Sequence, residues 1–288
     1  MNETARPHDA GCTTVPALRH REMSDADFRR FAAFFTERLG FAFPPTKRSL
    51  LAGRLDRRLR ELGLNSYSEY WRVLTAPSSE SEVQAAIDRI TTNETSFFRE
   101  PAHFAFLHQA LLERRCPPRR TVRLWSAACS SGEEVYSLAM LLAETLGLEA
   151  YWEILASDVS QGALQRARRG LYPLAGIRGL PLHLLNRYCL RGMDEYRGQM
   201  LMDRALRQRV RFLLLNLVQT WPDELGHFDV IFLCNVLMYF EATVKERVLS
   251  RVCDLLLPGG LLLVGSAESL SALRVGLEKL QPSIYRLR

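Results

Sequence analysis

Residues 122–134 run Val122-Arg123-Leu124-Trp125-Ser126-Ala127-Ala128-Cys129-Ser130-Ser131-Gly132-Glu133-Glu134, and their order decides the fold. Val122–Trp125 has the apolar, aromatic make-up of a strand. Small side chains follow, and Gly132 permits a tight entry into an apolar helix expected over Glu133 to Leu146. The succession recurs downstream. Trp152–Ala156 is a strand followed by a helix from Ser160 to Arg169, and Phe228–Cys234 is a strongly apolar strand followed by a helix from Ala242 to Leu256. Pro258-Gly259-Gly260 then turns into a buried strand, Leu261–Val264. Strands alternating with helices predict an α/β, doubly wound parallel sheet with right-handed crossovers. Between Tyr172 and Leu215 the alternation lapses, with Gly176, Gly179, Pro181, Gly192 and Gly198 punctuating short segments before a strand at Val210–Leu215. A partly β subdomain inserted over about 173–211 is expected there.

Upstream the pattern is helical only. Ser24 caps a helix carrying Asp25 and Asp27 in its first turn and Phe28, Phe31, Phe34 and Phe35 on one face, closed by Pro44-Pro45. A second helix is expected from about Lys47 to Leu62, with Leu51, Leu55, Leu59 and Leu62 turned inward and Gly63 ending it. A third follows Ser66 as far as Leu74, and Glu82–Ile90 is helical again. The chain therefore divides into a mobile arm (1–22), a small all-helical domain (23–90), a linker (91–100) and the sheet domain (101–288).

At 288 residues, 47% hydrophobic and 24% charged, the chain can bury a sizeable core, which excludes a disordered, collagen-like or fibrous protein. No apolar run approaches the roughly 20 residues that span a bilayer, and Met1–Arg21 has no apolar signal core, so direct membrane insertion and secretion are not expected. Six scattered cysteines without a C-x-x-C pair fit a reducing, cytoplasmic setting and no metal site. His103 and His108 are expected on one helix as ordinary packing or surface residues. The net charge is +6, and residues 47–60 hold six basic groups against the single acid Asp56. Such a stretch suits an acidic partner, or equally a solvated helix face.

In a doubly wound sheet, ligands lie beyond the carboxyl ends of the strands. The turn after Trp125 is not G-x-G-x-x-G, and Glu133 and Glu134 at a helix start would repel a phosphate. They suit a cationic ligand, unless they are ordinary first-turn acids. Asp158, ending the next strand, is spaced to accept ribose hydroxyls or to cap a helix. Asn235 interrupts the apolar end of the third strand. Together these describe a pocket for a positively charged adenosine derivative. S-adenosylmethionine fits better than NAD or ATP, and no G-x-x-x-x-G-K-[ST] is present for phosphates.

Thr91-Thr92-Asn93-Glu94-Thr95-Ser96-Phe97-Phe98-Arg99-Glu100 resembles the segment preceding the catalytic domain in the CheR family, the S-adenosylmethionine-dependent methyltransferases that esterify glutamates on bacterial chemoreceptors. Residues 125–137, Ala156-Ser157-Asp158, Asn216-Leu217, and Phe228-Asp229 through Asn235-Val236-Leu237-Met238-Tyr239-Phe240 match further motifs in family order, so that the resemblance covers about residues 24–288. It implies a class I, Rossmann-like methyltransferase, with S-adenosylhomocysteine as product and no metal. It implies that Asn93, Thr95 and Arg99 reach the cofactor and the reacting centre, and that Glu134 and Asp158 hold its methionyl or ribose groups. Asn216, Leu217, Asn235 and Val236 would surround the adenine and the methionyl end, with Tyr239 near the reacting methyl. Arg54, Arg57 and Arg58 would dock the cytoplasmic helical region of a receptor, with the chain acting as a monomer. Two departures stand out. The family usually has Arg before the Asn-Val pair, here Cys234, and Gly-His-Ser-Glu near the C-terminus, here Gly265-Ser266-Ala267-Glu268. The alternatives are a non-catalytic cofactor-binding regulator and a nucleic-acid methyltransferase. The latter would place a [DN]-P-P-[YFW] motif where this chain has Asn235-Val236-Leu237-Met238.

Overall fold

The computed structural model describes residues 22–113, 120–268, 270 and 276–288, so the expected arm up to residue 21, Cys12 and Cys116 lie outside the described residues. Four helices come first: α1 (Asp25–Leu39), α2 (Arg48–Glu61), α3 (Tyr67–Leu74) and α4 (Glu80–Ile90). Ser24 accepts the backbone N–H of Asp27 at 3.0 Å, the cap that the sequence predicts. The buried face of α1 meets α3 through aromatic edges, Phe31 lying 5.3 Å from Trp71 and Phe34 5.6 Å from it between ring centres. In α2 the leucine spacing holds for Leu51, Leu55 and Leu59, which are buried, but not for Leu62. Leu62 is the C-cap residue and 37% exposed, because the helix stops before the next inward position and Gly63 turns the chain at φ 66°.

The rest of the chain runs α5 (Pro101–Glu113), β1 (Val122–Ser126), α6 (Glu133–Leu146), β2 (Trp152–Asp158), α7 (Gln161–Arg169), β3 (Leu171–Pro173), α8 (Leu182–Tyr188), β4 (Cys189–Arg191), β5 (Gln199–Met202), α9 (Arg204–Arg207), β6 (Val210–Leu214), β7 (Phe228–Leu233), α10 (Ala242–Asp254), β8 (Leu256–Val264), β9 (Leu277–Gln281) and β10 (Ile284–Leu287). Seven strands form one sheet in the order β6-β2-β1-β7-β8-β10-β9. The first five are parallel, and two apolar layers cover their faces. The sheet is mixed rather than all parallel. β10 runs antiparallel to β8 and to β9, closed by a tight turn with Ser283 at φ 63°. Pro258-Gly259-Gly260 does not separate two elements; it sits within β8, where the pairing with β7 shifts register. The insertion is partly β, a three-stranded antiparallel sheet in the order β3-β5-β4.

Strand order reverses between β1 and β7: the chain leaves β1 toward β2 and β6, then returns to β7 and moves outward to β8. That is the switch point, where a crevice opens beyond the strand ends. The helical unit covers this crevice. Ala42 donates to the Tyr239 carbonyl at 2.8 Å, Glu241 donates to the Gly40 carbonyl at 3.1 Å, and the Phe41 ring lies 5.6 Å from Tyr239. Gly40 makes this approach possible: its φ is 68°, and a Cβ there would fall 2.6 Å from Val244 Cγ1.

Candidate active site

The β1–α6 turn forms the floor of the crevice. Ser130 and Gly132 take φ of 49° and 98°, and a Cβ on Gly132 would lie 2.8 Å from both Ala167 Cβ and the Tyr172 hydroxyl. Asp158 locks the turn to the end of β2. Its Oδ2 accepts the Ser130 N–H and its Oδ1 the Ser160 N–H, both at 2.8 Å. Burial raises its pKa while these backbone donors oppose the rise. Asp158 thus ties the floor to the segment entering α7, whose N-cap is Ser160, its hydroxyl accepting the Ala163 N–H at 3.1 Å. With the Val159 amide also acting on it, the carboxylate keeps little further acceptor capacity. Of the two sequence readings of Asp158, the helix cap falls instead to Ser160, two residues on.

Glu134 stands in the first turn of α6. It accepts the Ser126 hydroxyl at 2.7 Å, and burial pushes its pKa up to about 7; Ser126, Cys234 and the Arg99 charge pull against that rise, and Glu100 adds to it. A carboxylate desolvated in this way is stabilised by any cation entering the crevice. Glu133, in contrast, turns toward Ser131 and does not face the crevice. Cys234 lies beside Glu134 with its Sγ 3.9 Å from His103 Nδ1, and burial holds its thiol protonated.

The 91–100 segment forms one wall. Phe97 packs edge-on against Tyr172 at 5.3 Å, and Phe98, at φ 48°, donates its N–H to Ser137 Oγ at 3.0 Å. These anchors leave Asn93, Thr95 and Arg99 facing the crevice. Asn93 receives the Ser130 hydroxyl on its carbonyl at 3.1 Å, and Arg99 is exposed, donating to the Glu94 carbonyl at 2.8 Å. The opposite wall carries Asn216, whose amide donates to the Arg38 carbonyl of α1 at 2.7 Å, with Leu217 beside it. Asn235 (φ 57°), Val236 and Tyr239 close the end beyond β7.

The ten candidate cofactor and catalytic residues all line this one pocket, which encloses about 1000 Å³ including its open mouth. The three arginines expected to dock a receptor do not share a free face. Arg54 donates to the Ile90 carbonyl and to Thr92 Oγ1, holding the start of the 91–100 wall. Arg58 forks onto Glu82 at 2.6 and 3.0 Å and reaches Glu61 at 3.2 Å. Only Arg57 of the three projects, its side chain 67% exposed. Sequence reading missed His103, Phe104 and Glu100 as pocket residues. His103 is 3% exposed, its ring lies 6.1 Å from Phe232, and burial lowers its pKa. The signal was the spacing of Glu100, His103, Phe104 and Leu107, one helix face. Glu268 was also missed as a site residue, and it braces the β7 end.

The donor set fits S-adenosylmethionine. A desolvated carboxylate at Glu134 would suit a cation, the Asp158 carboxylate at the β2 end could accept a hydroxyl, and Phe104, Phe232, Leu215 and Leu217 offer apolar walls. Among the described residues no His, Cys, Asp and Glu cluster could hold a metal, and no helix is long and apolar enough to cross a membrane.

Residues 93–285 match the family model for the CheR methyltransferase SAM binding domain, and residues 26–91 match that for the CheR methyltransferase all-alpha domain. A chemotaxis protein methyltransferase of Salmonella typhimurium is 39% identical over 252 residues, 87% of this chain and 86% of that protein. The Escherichia coli protein of the same name is 39% identical over 252 residues, 87% of each chain. Chemotaxis protein methyltransferase 2 of Pseudomonas aeruginosa is 38% identical over 260 residues, 89% of this chain and 92% of that one.

Proposed function

The chain belongs to the CheR methyltransferase family, and from that premise we propose that it methylates glutamate carboxylates of bacterial chemoreceptors in the cytoplasm. It is an S-adenosylmethionine-dependent methyltransferase of chemotaxis. One observation carries the assignment of the site: Glu134 and Asp158, each desolvated, flank the crevice between the β1 and β7 ends, with Arg99 and Tyr239 toward its mouth.

When bound, S-adenosylmethionine supplies an electrophilic methyl group on a sulfonium sulfur. The chain's own residues bind, orient and exclude water. Glu134 would offer its charge to the ligand's ammonium, and Asp158 its remaining acceptor capacity to the ribose hydroxyls. Asn216, Leu217, Asn235 and Val236, which line the pocket, would enclose the adenine and methionyl end, and Asn93 and Thr95 would close the wall beside them. Arg99 presents a planar fork to the substrate carboxylate, a geometry that an ammonium does not reproduce. No side chain has to remove a proton, because a glutamate with an ordinary pKa near 4.3 is anionic at neutral pH. Alignment is therefore the main catalytic task, and proximity supplies roughly 7–11 kcal/mol of such a barrier.

Incubation with methyl-labelled S-adenosylmethionine and purified receptor cytoplasmic domains tests the proposal. Base-labile label on the receptor is the expected result. Saturable cofactor binding without any transfer would instead identify a regulator that binds without turnover.

A further inference from the structure

The loop after β8 touches both walls of the pocket. The Glu268 carboxylate is 3% exposed and accepts three backbone N–H groups: Asn235 at 2.9 Å and Gly265 at 2.8 Å on Oε2, and Met238 at 3.1 Å on Oε1. Asn235 and Met238 belong to the turn that carries Asn235 and Val236 and leads into Tyr239. Asn235 sits at φ 57°, in the left-handed region that asparagine tolerates better than other side-chain-bearing residues. The same loop reaches the other wall through Ser266, whose N–H and hydroxyl donate to Glu100 Oε1 at 3.3 and 3.1 Å, one residue from Arg99. Gly265 brings the two together. A Cβ there would lie 2.6 Å from Asn235 Nδ2 and 2.9 Å from Glu268 Oε2.

We propose that Glu268 and Ser266 are positioning residues for methyl transfer, clamping the Asn235–Tyr239 turn and the Glu100 end of the Arg99 wall onto one short loop. The proposal rests on the methyl-transfer reading of the same pocket. Three backbone donors converging on one buried side chain fix the backbone of that turn. Neither residue approaches the reacting atoms; each acts through the segment it holds. Alignment errors of about 1 Å can cost about a hundredfold in rate, so loosening this clamp should affect turnover more than binding.

The test compares parent, Glu268→Gln and Ser266→Ala by hydrogen exchange, by calorimetric binding of S-adenosylhomocysteine, and by steady-state methylation of a receptor domain. Gln keeps the shape but replaces one acceptor oxygen by a donor that faces N–H groups. Faster exchange at Asn235 and Met238, with β7 still protected, is expected for Glu268→Gln. Its kcat should fall by about tenfold to a hundredfold while product affinity changes only a few-fold. Ser266→Ala, which removes only the hydroxyl bond to Glu100, should lower kcat by a smaller factor with binding kept. Parent-like kcat in a folded Glu268→Gln protein whose exchange has risen at Asn235 and Met238 would overturn the positioning role. Unchanged exchange at those amides would overturn the clamp itself. The exchange arm does not depend on substrate identity: if the parent methylates no receptor domain, the proposed function fails while the clamp is still tested.

Discussion

Binding of S-adenosylmethionine should release a proton from Glu134, and its affinity should therefore rise with pH across neutrality. The cause is local. Burial pushes the Glu134 pKa from 4.5 up to about 7, with the Ser126 hydroxyl, the Cys234 thiol and the Arg99 charge pulling it back and Glu100 opposing them. His103, on the facing helix, has its pKa lowered by burial, with the Glu100 charge opposing that fall. In the ligand-free protein the raised pKa means that folding favours the protonated acid. That contribution to stability is fully present below pH 4.5, fades as pH rises to about 7, and is absent above it. The span of about 2.5 units amounts to about 3 kcal/mol. A ligand ammonium beside Glu134 reverses the preference, because it stabilises the carboxylate. For one group titrating at about 7, the apparent Kd at pH 6 should be about tenfold weaker than its high-pH limit and at pH 8 within about 10% of it. Calorimetry in buffers of different ionisation enthalpy counts the proton directly: about 0.9 released per ligand at pH 6 and about 0.1 at pH 8. Glu134→Gln should bind weakly at all pH and release none. A flat affinity from pH 6 to 8 in the parent, or the same proton release in Glu134→Gln, would refute this reasoning.

Asp158→Ala should weaken S-adenosylmethionine binding by about 1.5–3 kcal/mol in a folded protein, read by calorimetry, since it removes a charged acceptor and frees the Ser130 amide of the floor. Arg99→Ala should lower kcat far more than cofactor affinity, and Arg99→Lys should restore only part of the loss in a steady-state assay. Charge reversal at Arg57, which is exposed but lies 3.5 Å from Glu61, should reduce receptor methylation at low salt with only a small drop in melting temperature, and the deficit should shrink as salt is raised. Charge reversal at Arg58 should instead destabilise the helical unit by about 1.5–3 kcal/mol in denaturant titrations, because its fork onto Glu82 is lost.

What could be read from the sequence was what depends on local pattern. The β1–turn–α6 unit was legible because one strand, a run of small residues and an apolar helix occupy adjacent positions. The lapse in alternation after Tyr172 marked the partly β insertion for the same reason. Features set by distant partners were not legible. Arg54 and Arg58 looked like free charges because Ile90, Thr92 and Glu82 lie 24 to 38 positions away in sequence. Leu62 fitted the leucine spacing, but helix termination removed it from the buried face. The β9–β10 hairpin left little pattern, since its strands are short and half exposed. Glu268 ends the Gly265-Ser266-Ala267-Glu268 segment, yet two of its three amide partners, Asn235 and Met238, reach it only through the fold. The candidate pocket residues were found mainly by resemblance, since spacing alone left Glu134 and Asp158 open to ordinary structural roles.

The central claim is methyl transfer to glutamate side chains. Mass-spectrometric mapping of a receptor cytoplasmic domain after reaction with S-adenosylmethionine tests it most directly. The account predicts methyl esters on glutamate side chains exposed along the receptor's helical surface, absent when Arg99→Ala replaces the parent. Methyl groups on any other residue type, or none from a folded protein that binds the cofactor, would contradict it.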